Sequence, residues 1–269
     1  MKKAEELQHT AWRTGITDFG NGRLAVRGVP IETLMQWGSF GEVVYLLFTG
    51  HRPSPAEAAL FNAIIISTCD HGPTSPSMLT ARVIASGNRR APEAAVGGGL
   101  LAIGDAHGGA GEASMVMLAD TFKDVTSPDD MAKRAAGLVA QSKREKRRLP
   151  GLGHRFHTED PRTRELWRQA ETLGICGQEI AMMRALKRAL EAEHGRKFPV
   201  NVDGAIAAIL LGMGFEPLIG RLIFIIGRCA GVAAHVREEL TREKPMRIRF
   251  PFAYDGPFTS PAAIDEAVK

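Results

Sequence analysis

Seven polar side chains fall in glycine-rich turns, at helix ends or alone in an apolar run: Asp70, His71, His107, His154, Arg162, Asp203 and Arg228. The densest setting is Pro150-Gly-Leu-Gly-His-Arg-Phe-His-Thr-Glu-Asp-Pro-Arg162. Glycine lets a backbone approach another surface closely, so Gly151 and Gly153 read as a loop pressed against something flat. His154 at its end can act as acid or base near neutral pH. Asp160-Pro161-Arg162 reads as the start of a helix, where the macrodipole does not favour a cation. An anionic ligand accounts for Arg162 better than helix stability does. Arg228 interrupts Leu222-Ile-Phe-Ile-Ile-Gly, and a buried arginine requires an anionic partner. Three histidines, a carboxylate and two arginines suit proton transfer on a substrate with several negative charges. Taken singly, His154 reads equally as a solvated loop residue and His107, in Gly104-Asp-Ala-His-Gly-Gly, as a structural one. No HxH, HExxH or Cys/His spacing supports a metal site, and no GxSxG supports a serine hydrolase.

These residues need a scaffold, and the pattern around them is helical. Strand alternation is confined to Ile16–Phe19 and Arg23–Val26 around Gly20-Asn21-Gly22, which predicts one hairpin. Ser39-Phe-Gly-Glu42 and Ser54-Pro-Ala-Glu57 are capping-box signatures, the first opening a helix that Gly50 closes. Further helices are predicted over 77–86, 91–103, 112–123, 127–146, 160–173, 178–193, 203–213 and 217–240. Strands do not alternate with helices, which argues against a parallel α/β sheet.

The chain has 269 residues, a formal charge of +4 and 44% hydrophobic residues, enough to bury a large core. No uninterrupted apolar run reaches the roughly 18 residues of a membrane helix. The N-terminus lacks the apolar core of a signal peptide, and three cysteines without a CxxC fit free thiols, so a cytoplasmic location is expected. Lys143-Arg-Glu-Lys-Arg-Arg148 concentrates positive charge just before the central loop. It reads as a solvated helix face or as a rim for a phosphate-bearing small molecule. Without interleaved aromatics it does not suggest a nucleic-acid surface.

Together the motifs resemble the citrate synthase superfamily. The resemblance rests on Asp70-His71-Gly72, His107-Gly-Gly-Ala110, Pro150-Gly-Leu-Gly-His154-Arg155, Asp160-Pro-Arg162 and Asn201-Val-Asp203, in that order, with Arg27-Gly-Val-Pro-Ile-Glu and Ser39-Phe-Gly-Glu ahead of them. It implies an all-α enzyme with a large domain (1–110 and 215–269) and a smaller inserted domain (111–214), working as a homodimer or higher homo-oligomer. By motif, His107, His154 and Asp203 match the catalytic trio, and His71, Arg162 and Arg228 the residues that hold a dicarboxylate. Arg249, with Arg247 as its rival, resembles an arginine contributed to a neighbouring subunit. Arg148, Gly151, Leu152, Gly153 and Arg155 match the coenzyme A site, with CoA entering as substrate thioester and no metal expected. Only about twenty residues separate Gly50 from Asp70, fewer than in a full citrate synthase. The wording Cys69-Asp-His-Gly-Pro73 and Gly227-Arg-Cys-Ala-Gly231 is closer to citryl-CoA lyase and the C-terminal module of ATP-citrate lyase. The expected activity is therefore retro-aldol cleavage of citryl-CoA. A short synthase condensing acetyl-CoA with a 2-oxo acid, and a non-catalytic CoA-ester-binding paralogue, are the alternatives.

Overall fold

Thr17–Gly20 (β1) and Arg23–Val26 (β2) pair antiparallel with Gly20 opposite Arg23 in a computed structural model that describes residues 13–154 and 158–256. Their two-residue turn, Asn21-Gly22, has φ of 51° and 75°, as a type I′ turn requires. The expected hairpin gains a third strand, Val29–Pro30 (β3), paired with β2 across a second turn at Arg27-Gly28. Arginine seldom adopts a positive φ, here 49°. Its guanidinium compensates: Nε and Nη2 donate to the Leu47 carbonyl at 2.9 and 2.7 Å and tie the sheet to the helix that carries Leu47.

Eleven helices follow among the described residues. The first three are Ile31–Trp37 (α1), Phe40–Thr49 (α2) and Pro55–Thr68 (α3). Pro76–Gly87 (α4), Pro92–Leu101 (α5), Ala110–Thr121 (α6) and Pro128–Arg144 (α7) come next. Pro161–Leu173 (α8), Gly177–His194 (α9), Val202–Gly212 (α10) and Pro217–Arg242 (α11) complete the set. Both predicted capping boxes form, and Gly50 ends α2 in the left-handed conformation. Proline stands first in α3, α4, α5, α7, α8 and α11, where its missing N–H costs no helix bond. That punctuation explains why the predicted boundaries lie within two residues of the observed ones.

The main core gathers α2, α3, α6 to α10 and the start of α11, drawing residues from 1–110, 111–214 and 215–269 alike. Phe61 stacks on Phe215 with centroids 5.5 Å apart, and Tyr45 meets both edge-on. A second, smaller cluster joins α4 and α5 to the far half of α11 through Met78, Ala81, Ala85, Ala95, Val232 and Val236. By length and composition α11 could cross a membrane. Here it threads both clusters and carries buried Arg228 and Glu239, as a core helix does.

Candidate active site

The loop 150–154 docks on the start of α10 through a pair of glycines. A Cβ on Gly151 (φ 77°) would lie 2.7 Å from the Gly204 Cα, and one on Gly204 would lie 2.5 Å from the Gly151 carbonyl oxygen. Gly151 is thus pressed against protein. Gly153 (φ 91°) has open space before it. The Asn201 backbone N–H donates to the Gly151 carbonyl (3.0 Å), its side-chain amide to the Gly153 carbonyl (3.0 Å), and the Gly153 N–H to the Pro199 carbonyl (2.7 Å). The Asn201 side chain also caps α10 by accepting from Gly204 N–H. One turn therefore fixes both His154, at the end of the loop, and Asp203, in the first turn of the helix.

Asp160 locks the next helix to the same place. It is fully buried, caps α8, and accepts from Arg162 Nε (3.0 Å) and Nη2 (2.8 Å) and from the Val202 N–H (3.1 Å). Arg162 thus already has an anionic partner within the chain, and its unusual position in the first turn is due at least partly to Asp160. Burial alone would raise the Asp160 carboxyl, but the hydrogen bonds and charge of Arg162 hold it below the usual carboxylate range.

On the opposite side α11 lies close against the end of α3. A Cβ on Gly227 would run into Thr68, and one on Gly231 into the Cys69 carbonyl. This approach brings Arg228, 2% exposed, to the Thr68 carbonyl (Nε, 3.0 Å), to Ser77 Oγ (Nη1, 3.5 Å) and over the ring of Phe224 at 4.7 Å. Ser77, buried in the first turn of α4, lies with its hydroxyl 2.9 Å from His107 Nε2 and points its backbone N–H at the same nitrogen (3.4 Å). An N–H can only donate, so His107 Nε2 is an acceptor and the ring proton sits on Nδ1. Burial, Arg228 and His71 all push His107 below the ordinary histidine value, and it is held neutral with an N–H available to donate.

The sites converge. The His71 and His154 rings meet edge-to-face at 5.6 Å. His71 is likewise lowered, first by burial and then by Arg162, His154 and Arg228. Asp203 keeps some exposed surface but lies deep among protein atoms. Burial raises it against the pull of Arg162 and Arg228, while Asp160 adds to the rise. Arg228 is lowered by burial, with Asp70 and Asp203 opposing. Six of the seven residues expected to act on or hold the substrate (His71, His107, His154, Arg162, Asp203 and Arg228) thus share one electrostatic neighbourhood. Two members were not assigned a role from sequence. Asp160 read only as a helix start, and Ser77 lay unmarked in Ser75-Pro-Ser77.

The expected CoA residues lie beside this centre. Leu152 bridges to Val200, and Arg148 is exposed on the rim of a groove of about 580 Å³ that also takes in Val116, Met117, Arg147, Leu149 and Pro150. Arg155 lies outside the described residues. Arg247 is engaged within the chain, by Glu239 and by Glu243 at 2.9 Å, whereas Arg249 is exposed in the C-terminal segment.

Residues 49–249 match the family model described as citrate synthase, C-terminal domain. The chain is 34% identical to citryl-CoA lyase from Hydrogenobacter thermophilus, with a TM-score of 0.84 over 95% of this chain and 99% of that one. It shares the fold of ATP citrate lyase from Methanothrix soehngenii, solved with citrate and coenzyme A (TM-score 0.80, 21% identity, 98% of this chain and 45% of that one). It is also 28% identical to citrate synthase 2 of Bacillus subtilis (strain 168) over 85% of this chain and 59% of that one. The chain spans little more than half the length of most of the curated relatives it matches.

Proposed function

The chain belongs to the citrate synthase family, and from that premise we propose that it is a citryl-CoA lyase, cleaving citryl-CoA to acetyl-CoA and oxaloacetate. The observation that carries the choice of reaction is the likeness to a citryl-CoA lyase over nearly the whole of both chains. The side chains gathered at the candidate site suit that chemistry.

His154 takes the proton of the tertiary hydroxyl as the adjacent carbon–carbon bond breaks, leaving the ketone of oxaloacetate. The bond's electron pair passes to the terminal carbon and onto the thioester oxygen. His107, neutral and protonated on Nδ1, hydrogen-bonds that oxygen as its charge grows. Asp203, raised by burial and so able to carry a proton, delivers it to the terminal carbon. His154 has gained one proton and Asp203 lost one, and exchange with solvent resets both. Arg162, Arg228 and His71 hold the carboxylates, arginine through its paired N–H groups. Gly153, Leu152 and the cations at Arg148 and Arg155 offer backbone and charge to the coenzyme A nucleotide. Segment 111–214 would act as the smaller domain of a homodimer in which Arg249 reaches the neighbouring site.

The reverse condensation uses the same groups, and the many relatives named citrate synthases favour it as the second reading. An assay with synthetic citryl-CoA, following oxaloacetate through malate dehydrogenase and NADH, tests the proposal. Rapid oxaloacetate release supports the lyase. Release of free CoA from acetyl-CoA plus oxaloacetate, without citryl-CoA cleavage, overturns it in favour of a synthase.

A further inference from the structure

Asp70 borders the candidate site but has no role in the steps above. It precedes His71 in the chain, and its charge is the main one stabilising the Arg228 guanidinium. On its other side His235, on α11 and largely buried, places Nε2 3.3 Å from Asp70 Oδ1. The second ring nitrogen of His235, Nδ1, lies 3.3 Å from Arg82 Nη1. A guanidinium has no acceptor, so Nδ1 accepts and the ring hydrogen is on Nε2, facing Asp70.

Arg82 is held firmly in turn. Its Nε donates to Glu239 at 3.0 Å and its Nη1 to Glu238 at 3.1 Å. Glu239 is fully buried and shared with Arg247. A line of polar groups therefore runs from a buried ion pair between α4 and α11 to the residue beside His71. The same short segment is held from the other side by Arg228 on the Thr68 carbonyl.

We propose that His235, oriented by Arg82, is a positioning residue that steers Asp70 and thereby sets His71 and Arg228 against the substrate carboxylates. This rests on the reading of those two residues as the carboxylate holders. His235 itself touches no reacting atom.

The two ring nitrogens can be replaced separately. An asparagine amide reaches about as far as Nδ1 and keeps the Arg82 contact alone. A glutamine amide reaches about as far as Nε2 and keeps the Asp70 contact. Binding of oxaloacetate and of free coenzyme A by calorimetry, melting temperature, and the ¹⁵N shifts of the His71 ring are measured in H235N and H235Q. The expected result is oxaloacetate binding weakened roughly tenfold in H235N and near wild type in H235Q. Coenzyme A binding and melting temperature should match between the two, and the His71 shifts should move only in H235N. Equal behaviour of the two variants, whether both unaffected or both destabilised, overturns the proposal. Failure of the wild-type protein to bind oxaloacetate would count against the functional reading alone. The His71 shifts then still decide the positioning role, with movement confined to H235N supporting it and equal shifts overturning it.

Discussion

The two hydrophobic clusters joined by α11 are built differently. The larger fills space with Phe61, Phe215, Tyr45 and a crowd of branched aliphatics around the almost wholly buried α10. The smaller has three alanines among its six buried residues, so its helices lie close together and bury little apolar volume. Alongside that modest core runs the network of Arg82, Glu238, Glu239 and Arg247, and Arg89 donates to the Leu240 carbonyl. One cluster relies on volume, while the other combines close approach with paired charge. Arg228 lies on α11 between the two, where apolar packing gives way and polar side chains can be buried with partners. At that seam its guanidinium meets the Thr68 carbonyl and the Ser77 hydroxyl.

The sharpest test separates the seam from both cores. Asp203→Asn should lower turnover about 10³-fold, the scale of losing a positioned acid, as steady-state kinetics would read. Its melting temperature should hold or rise at neutral pH. The folded carboxyl is raised, so its ionised form costs stability above the unfolded value, and asparagine removes that cost. A melting temperature lowered by several degrees would place Asp203 among the structural residues instead.

Within the larger cluster, Phe61→Ala should cost about 3–5 kcal/mol in chemical denaturation, because the surrounding aromatics cannot close the hole. Glu239→Gln tests the smaller cluster's dependence on charge. With Arg82 and Arg247 facing a neutral amide, about 3 kcal/mol should be lost, and an effect under half of that would mean that its alanine packing suffices.

Asp160→Asn should cost about 2–3 kcal/mol at pH 7 and progressively less in acid. The folded carboxyl lies below the ordinary value of 3.8, so its stabilisation is present above that pH and is lost as pH falls through the folded value. Denaturation curves that stay equally separated down to pH 3 would remove the Arg162 ion pair as the cause. Smallest of all, Val236→Ala should cost about 1–2 kcal/mol, and a loss matching that of Phe61→Ala would erase the contrast between the clusters.

Much of this was legible without coordinates because its causes are local. Serine and glutamate three apart, proline at a first helical position and a glycine just past an apolar run act within one turn of backbone, so ten of the eleven helices among the described residues could be bounded from sequence, and only the short Ile31–Trp37 was missed. The ordered motifs marked His71, His107, His154, Arg162, Asp203 and Arg228 by type and setting. The third strand was not visible, since two residues carry no period and Arg27 needs the distant Leu47 carbonyl to hold its positive φ.

Tertiary structure alone decided the partners. That Asp160 takes the Val202 N–H, that Ser77 assigns the proton of His107, and that Arg247 is taken by Glu239 while Arg249 is not, are contacts between helix ends apart in the chain or across a turn. Gly151 looked like a surface for a ligand, and its closest neighbour is Gly204. Sequence determines which groups can donate, accept or titrate and which segments coil. Which donor meets which acceptor depends on the angles at which buried helices cross, and those are set by side-chain packing throughout the core at once.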